Sequence, residues 1–419
     1  MTNEIRKFDV LVIGGGPAGM MAAGRAAELG AKAALIEKNK NLGKKLLITG
    51  KGRCNITQAE FDDRKFADAF GKKGKFLRSS LSVFGPEEVV EFFEKRGLET
   101  KIERGKRVFP ATGKSLDVLN TLIKNLQKNK VEIFLEEDVA EFFLEGGSIK
   151  NVKTKSGKVF EADNFILCVG GKAYPLTGST GDGYAWAKSF GHAIINPVPA
   201  LAPIKIKEEW IKDLQGLSLK NIEINIFQNN KKQDSRFGEM IFTHFGISGP
   251  IVLDVSRDVG KLLENGEVAI ELDLKPALDF PQLDNRLQRD FAGNRKKDFK
   301  NYLPELLPQK MIEIFLKLSG IDPKKKLHFI TKEERKIILH LLKEMKMTTL
   351  EIMGFDQAIV TGGGVNLKEI DSKTMRSKIV KNLFFAGEIL DLDGPTGGCN
   401  LQICWSTGYA AGTFAIAIE

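Results

Sequence analysis

From Phe8 to Ile13 the chain is apolar at nearly every position, with charged residues before the run and three glycines after it. A run this short that does not alternate predicts a strand buried on both faces. Residues 17–29, rich in alanine, predict a helix, and Ala31 to Ile36 a second buried strand. Downstream, PEEVVEFFEKRG carries apolar residues at helical spacing, opened by Pro86 and stopped by Gly97. The stretch VEIFLEEDVAEFFLEGGSIKNVKTKSGKVFEAD reads as a charged, hairpin-like region with Ser-Gly as a turn signal. Phe165 to Val169 is a further apolar run, ending at Gly170-Gly171. Prolines at 197, 199 and 203 mark a change of region. From about residue 200 to 275 apolar and polar positions alternate, as in LSLKNIEINIF, which predicts antiparallel strands. From about 278 to 350 the spacing is helical and basic, as in EERKIILHLLKEMKM. The segment IMGFDQAIVTGGGVNLKEI returns to the first region. Leu383 to Ala386 is a strand, and Asn400 to Ile418 reads as a helix rich in alanine and glycine. No internal repeat or low-complexity tract interrupts this order.

The first strand, helix and second strand frame a glycine motif. Gly14, Gly16 and Gly19 have the G-x-G-x-x-G spacing of a dinucleotide fold. The first glycine permits a tight turn, the second lets backbone approach a pyrophosphate, and the third lets helix and strand pack closely. Ala18 lies in the first helical turn, where Pro17 is well placed. Glu37 ends the second strand 23 residues after Gly14, close to the spacing at which an acid accepts a hydrogen bond from an adenosine ribose; Lys38 follows it. An acid here argues against a 2′-phosphate. The motif alone does not separate NAD from FAD.

The far end of the sequence separates them. Gly387-Glu388 closes a strand in the way that places a carboxylate on the ribityl chain of FAD in two-dinucleotide-type flavoproteins. The turn GPTGG follows, and Gly398, Asn400 and Leu401 open the last helix. That helix's unsatisfied N–H groups and positive dipole end suit charge building on a flavin. Gly170 and Gly171 mark a strand-to-glycine crossing beside the pyrophosphate, and Val139 stands where such folds pin the adenine through backbone bonds. Gly362 and Gly364 do not make a second nucleotide site, because Leu367 takes the third glycine position. The expected fold class is therefore α/β: a Rossmann-like, two-dinucleotide-type FAD domain of residues 1–194 and 351–419. An insert splits it, with an antiparallel, barrel-like β part (195–277) and a small helical part (278–350).

Four segments together resemble the BaiN/YhiN-type flavoprotein family, also described as aminoacetone-oxidase-like FAD-binding enzymes. They are GGGPAGMMAA, GKKLLITGKGRCNIT, FTHFGISGPIVLDVS and FFAGEILDLDGPTGGCNLQICWSTGYAAG. The likeness covers nearly the whole chain. It implies that Lys45, Thr49, Gly50, Gly52, Arg53, Cys54 and Asn55 wrap the FAD after the second strand, with Lys45 and Arg53 offsetting phosphate charge. It also implies substrates such as α-amino ketones or steroid enones. The chain departs from the family pattern at Cys399 and Cys404, where an aromatic and a small residue are usual. Their C-x4-C spacing matches a flavin-linked redox disulfide, but its position in the chain does not, so they are read as one small packing cysteine and one loop cysteine. Cys54 is read as a packing or cofactor-contact residue whose pKa Arg53 would lower.

Composition adds limits. The chain has 419 residues and a net charge of +9, with the lysines scattered and no aromatic residues interleaved, so nucleic acid is not an expected partner. The expected function is an FAD-dependent oxidoreductase exchanging a hydride through flavin N5; the alternatives are a flavin-dependent RNA-modifying protein, drawing on the basic insert, and an FAD-binding protein without turnover of its own. No apolar stretch is long enough to span a membrane, the first residues lack the pattern of a signal peptide, and four cysteines make no disulfide framework. A cytoplasmic location is expected. No metal site is expected, and the oligomeric state stays open. The expected partner is a small-molecule substrate, with NAD(P)H as a transient reductant reaching the flavin directly. His244, in the glycine-bearing turn of the insert, is the candidate for proton transfer, with a hydrogen-bonded structural histidine as the alternative. The insert is expected to serve as lid and substrate wall.

Overall fold

A computed structural model describes residues 5–416. The chain forms two compact units, one running to Ala200 and resuming at Phe355, the other Leu201–Gly354.

In the first unit the apolar runs become a parallel sheet. Ile5–Ile13 lies between Ala33–Ile36 and Val159–Leu167; Glu132–Phe134 joins outside the second strand and Leu383–Phe385 beside the third. Ser148–Thr154 and Val139–Glu145 extend the sheet as antiparallel strands. Val10, Leu11 and Val12 are fully buried, as strands covered on both faces require. The register is what positions the site. Ile13 pairs with Ile36 and with Leu167, and Leu167 pairs with Phe385. The residues that follow these strands, Gly14, Glu37, Cys168 and Ala386, therefore emerge in one row along the carboxyl crest of the sheet, where open α/β folds bind ligands.

The alanine-rich helix Pro17–Glu28 packs on the closing helix Cys399–Phe414 at backbone distance. A methyl on Gly408 would stand 2.5 Å from the Ala18 carbonyl oxygen, and one on Gly412 would stand 2.3 Å from that of Ala22. The expected last helix ran to Ile418, which lies outside the described residues. A small antiparallel sheet (Thr57–Gln58, Arg107–Pro110, Thr100–Glu103) and the helices Gly74–Leu81, Pro86–Glu94 and Ser115–Lys128 complete this unit with Ile194–Ala200, which pairs with Val360–Val365. Residues 195–200, assigned to the insert from sequence, thus belong to the first unit: the strand continues past 194 because its partner is GGGV, whose glycines allow close approach. A methyl on Gly363 would come 2.4 Å from the Asn196 carbonyl oxygen.

The second unit has its own core around a closed six-stranded barrel. Its strand order is Ile204–Ile206, Gly246–Ser248, Lys231–Phe242, Ser218–Gln228, Val268–Asp273 and Met345–Ile352. The alternation in LSLKNIEINIF buries Ile222, Ile224 and Ile226, but Leu219 sits one residue out of phase. Asn221, at φ 54°, forms a bulge that resets the period. Two elements differ from the sequence expectation. Helix Pro250–Leu263 lies within the β-rich stretch, burying Val252, Val255 and Val259. Strand Met345–Ile352 lies at the end of the helical stretch and closes the barrel. Helices Phe280–Gly293, Ile312–Ser319 and Lys332–Lys343 form the rest, with Leu283, Leu287, Tyr302, Phe315, Ile338 and Leu342 buried among them.

Candidate functional site

At the crest of the first unit each glycine has a distinct reason. Gly14 takes φ 106°, and a methyl there would stand 2.5 Å from the Cys168 carbonyl oxygen. A methyl on Gly19 would stand 1.8 Å from the Gly14 oxygen. These two are required by the fold. Gly16 is different: a methyl there would meet nothing within 4 Å. It caps helix Pro17–Glu28 without a side-chain bond, and the first turn carries no acid. That leaves first-turn amides open towards an anion.

Glu37 is 8% exposed and held by amides. Gly15 N–H donates to Oε2 at 2.7 Å; Asn39 donates to Oε1 from its backbone N–H at 2.8 Å and its Nδ2 at 2.6 Å. Oε1 thus accepts two bonds, and Oε2, with one, keeps lone-pair capacity for a further donor. Sequence reasoning found Glu37 but missed Gly15 and Asn39, although an amide side chain two residues after a strand-ending acid is a usable signal. The Glu37 carbonyl oxygen also accepts from Glu137 N–H (3.1 Å), which brings the segment before Val139 alongside. Val139 itself is buried at the start of its strand. Lys38 turns to the neighbouring loop, bonding Thr180 (2.6 Å) and Asp182 (2.7 Å). Burial raises the Asp182 pKa, but bonds from Lys38 and Thr180 outweigh it and hold the carboxyl below its ordinary value.

Glu388 is held differently. Its Oε2 accepts from Lys45 Nζ at 2.7 Å and its Oε1 from Thr361 N–H at 2.8 Å. Gly387, at φ 79°, sits against the first helix: a methyl would stand 2.8 Å from Ala18 Cβ. Gly170, at φ 73°, faces the same carboxylate, with a methyl position 4.0 Å from Glu388 Oε2; one on Gly171 would strike Thr361 Oγ1 at 2.3 Å. Tyr184 packs beneath, its hydroxyl 3.5 Å from the Glu388 carbonyl oxygen. Burial, then the charges of Glu388 and Asp391, push its phenol up.

The loop of residues 42–57 makes a tight coil in which Gly50, Lys51, Gly52 and Cys54 all have left-handed backbone. Thr49 Oγ1 bonds the Leu46 carbonyl (2.6 Å). Arg53, expected to offset phosphate charge, has partners of its own. Its guanidinium pairs with Glu103 at 2.5 Å and lies over the Phe109 ring at 4.2 Å. The expected lowering of the Cys54 pKa is reversed as well: the side chain is fully buried, and burial pushes the thiol up to about 12. Asn55 Oδ1 is buried and has no hydrogen-bond partner among the described residues. Its desolvation calls for a donor.

The closing helix locks this loop in place. Trp405 Nε1 donates to the Ile56 carbonyl (2.9 Å), and Thr57 Oγ1 bonds Gln402 (2.6 Å). Gly398, at φ 103°, packs on Thr57, where a methyl would stand 2.5 Å from its carbonyl carbon. The Asn400 amide spans the GPTGG turn, bonding Gly394 N–H (2.9 Å) and its carbonyl (2.8 Å), so its side chain shapes the turn. Leu401 is half-buried. Lys73 bonds Asp391 (2.6 Å) and Asp393 (2.9 Å), a cluster that sequence reasoning missed. Cys399 and Cys404 are buried thiols on the closing helix. Five residues of helix separate them by a rise of about 7.5 Å, beyond disulfide reach.

In the second unit His244 is exposed at a tight turn, where Thr243 N–H bonds the Gly246 carbonyl at 2.8 Å. Its ring lies edge-on to Phe245, 4.9 Å between centroids. Of the four histidines it is the one whose ring nitrogens have no hydrogen-bond partner among the described residues; His192, His328 and His340 are all bonded.

The sequence profile described as HI0933-like protein Rossmann domain matches residues 8–414. The chain belongs to that family. It is an FAD-dependent oxidoreductase. One relative, the 3-dehydro-bile acid delta(4,6)-reductase of Clostridium scindens, is 33% identical over 96% of this chain and 98% of its own length. Another, the ribosomal RNA dihydrouridine synthase of Haemophilus influenzae, is 29% identical over 96% of each chain. Among solved structures, the 3-ketosteroid-delta4-(5alpha)-dehydrogenase of Rhodococcus jostii superposes with a TM-score of 0.56 at 14% identity, covering 99% of this chain and 98% of that one. At that identity the match speaks to the fold. The crest fits FAD on three observations of its own: the open space at Gly16, the uncapped first-turn amides, and the orphaned Asn55 oxygen. No helix among the described residues is long and apolar enough to cross a membrane.

Proposed function

We propose that this protein reduces a carbon–carbon double bond conjugated with a carbonyl group in a small organic substrate. One observation carries the reading. Two relatives, each matched over 96% of this chain, are named for the same kind of step, a delta(4,6)-reductase of a 3-dehydro bile acid and a dihydrouridine synthase. In a 3-oxo steroid the ring carbonyl polarises the adjacent double bond, and in uridine the C4 carbonyl polarises C5–C6. In both, saturation adds a hydride to the carbon β to the carbonyl and a proton to the α carbon.

Bound FAD supplies the two-electron chemistry at flavin N5. Glu37 accepts the adenosine ribose, the first-turn amides after Gly16 face the pyrophosphate, and Glu388 with Lys45 orients the ribityl side. His244, uncommitted to any other bond, is the proposed proton donor. NAD(P)H is the proposed source of electrons, binding transiently. The test is anaerobic turnover of the holoprotein with NADH or NADPH and an α,β-unsaturated 3-oxo steroid, followed by mass analysis. A product two hydrogens heavier is expected. Reductant consumption without any saturated product, from the steroid or from a uridine-bearing RNA, overturns the reading.

A second reading takes a uracil ring of RNA as the acceptor. The full-length match to the Haemophilus influenzae RNA enzyme favours it.

A further inference from the structure

In the helical part of the second unit two segments about thirty residues apart run side by side. Residues 294–300 follow helix Phe280–Gly293, and residues 322–331 precede helix Lys332–Lys343. Backbone bonds lace them: Phe299 N–H to the Lys325 carbonyl (2.9 Å), Lys300 N–H to that of Pro323 (2.9 Å), and Leu327 N–H to that of Lys297 (3.0 Å). His328 Nδ1 also meets the Arg295 carbonyl at 2.5 Å. The lacing gathers Arg295, Lys296, Lys297 and Lys300 with Lys324, Lys325 and Lys326. Lys297, Lys325 and Lys326 have acid partners at 2.6 Å, in Glu305, Glu334 and Asp298. Arg295, Lys296, Lys300 and Lys324 are exposed and make no ion pair among the described residues. A depression of about 380 Å³ opens beside them, lined by residues 292–297.

An aromatic pair borders the same face. Phe329 is 63% exposed, and the His328 ring lies against it with centroids 4.0 Å apart. The sequence itself sets His328 and Phe329 just after Lys324–Lys326, an interleaving the composition reading passed over, and the lacing adds Arg295, Lys296 and Lys300 to them. Neither feature helps the unit pack. Like charges repel, and an exposed ring forgoes burial. Cations beside an exposed aromatic surface are what a single-stranded or looped RNA recognises, through phosphates and a stacked base.

We propose that this face binds a folded RNA, with Arg295, Lys296, Lys300 and Lys324 on the phosphate backbone and His328–Phe329 under an unpaired base. The proposal rests on the second reading above and adds the surface that holds the RNA. The test uses the FAD-loaded protein and a fluorescent RNA hairpin with a uridine-rich loop, titrated at several salt concentrations. The variant R295E/K296E/K324E is expected to bind at least tenfold more weakly, with a salt slope reduced by about 2, at roughly 0.7 per phosphate contact. Phe329→Ala is expected to lose about fivefold or more with the slope unchanged. Equal binding by wild type and the triple variant overturns the proposal. So does hairpin binding that heparin matches and Phe329→Ala leaves alone, or binding to anionic vesicles without binding to the hairpin. Steroid enone reduction by the same variants separates the two ideas. It should stay within about twofold of wild type. Hairpin binding without reduction of any conjugated double bond rejects the proposed reaction and leaves the face standing.

Discussion

Glu37 and Glu388 are the two carboxylates on the crest of the first unit, and the chain holds them by different physics. Glu37 is fixed by neutral donors, the amides of Gly15 and Asn39. Glu388 is fixed by one amide and one cation, Thr361 N–H and Lys45. Amide donors impose direction and do not respond to salt. An ion pair is screened and depends on a long, flexible side chain. The two also differ in reach. Gly15 and Asn39 lie within one strand–helix–strand unit with Glu37, whereas Lys45 is 343 residues from Glu388. The first carboxylate is a local product of its motif. The second exists only once both ends of the unit have met.

The largest expected effect separates glycines that serve the fold from the one left open for a ligand. Gly14→Ala forces a methyl into the Cys168 carbonyl at a left-handed position and should cost more than about 3 kcal/mol of stability, read by denaturant unfolding. Gly16→Ala should leave the apoprotein within about 1 kcal/mol of wild type and weaken FAD binding. A Gly16→Ala protein that binds FAD normally removes one of the three reasons for placing the cofactor here.

If the carboxylates bind and His244 reacts, their variants should fail differently. His244→Ala should lower turnover about a hundredfold and remove one limb of the pH profile while FAD affinity holds. Turnover within a few-fold of wild type, normalised to bound FAD, would rule out a proton-transfer role. Glu37→Lys should weaken FAD binding by about tenfold to a hundredfold in a fluorescence titration, because an acceptor is lost and a cation stands among donors.

The Lys45–Glu388 pair should give a smaller, salt-dependent signal. A double-mutant cycle with Lys45→Met and Glu388→Gln should show coupling of about 1 kcal/mol in FAD binding or stability, falling in high salt. Coupling that ignores salt would erase the contrast with Glu37.

The smallest effect concerns the thiols packed under the crest. Burial pushes both Cys54 and Cys404 up to about 12. A folded pKa raised above the unfolded one means that the stabilisation is complete below the unfolded thiol's pKa of about 8.5 and is lost as pH rises towards the folded value. Denaturant midpoints should therefore fall between those limits, and less steeply in Cys54→Ala. An unchanged slope would show that Cys54 does not contribute.

The sequence made the first strand–helix–strand, the fingerprint glycines and Glu37 legible because each depends on spacing within about forty residues. Partners from farther away were not legible. Arg53 looked like a phosphate cation, but Glu103, 50 residues off, pairs with it, and the bonds of Lys38 to Asp182, 144 residues off, had no signal in the sequence. Cys54 looked activated because Arg53 is its neighbour in sequence, yet its full burial decides its pKa. The barrel's alternation was readable, while its closing strand Met345–Ile352 was hidden by the helix directly before it. The basic face was legible only in part, because backbone lacing between 294–300 and 322–331 completes it.

In the proposed reaction the bound flavin's electrons end in a conjugated double bond. Single-turnover titration tests it most directly. The holoprotein is reduced to completion without oxygen, freed of excess reductant, and mixed with the steroid enone or the uridine hairpin. The oxidised flavin spectrum is expected to return with one equivalent of saturated product per flavin. A flavin that stays reduced with both acceptors, and is reoxidised only when oxygen is admitted, would contradict it.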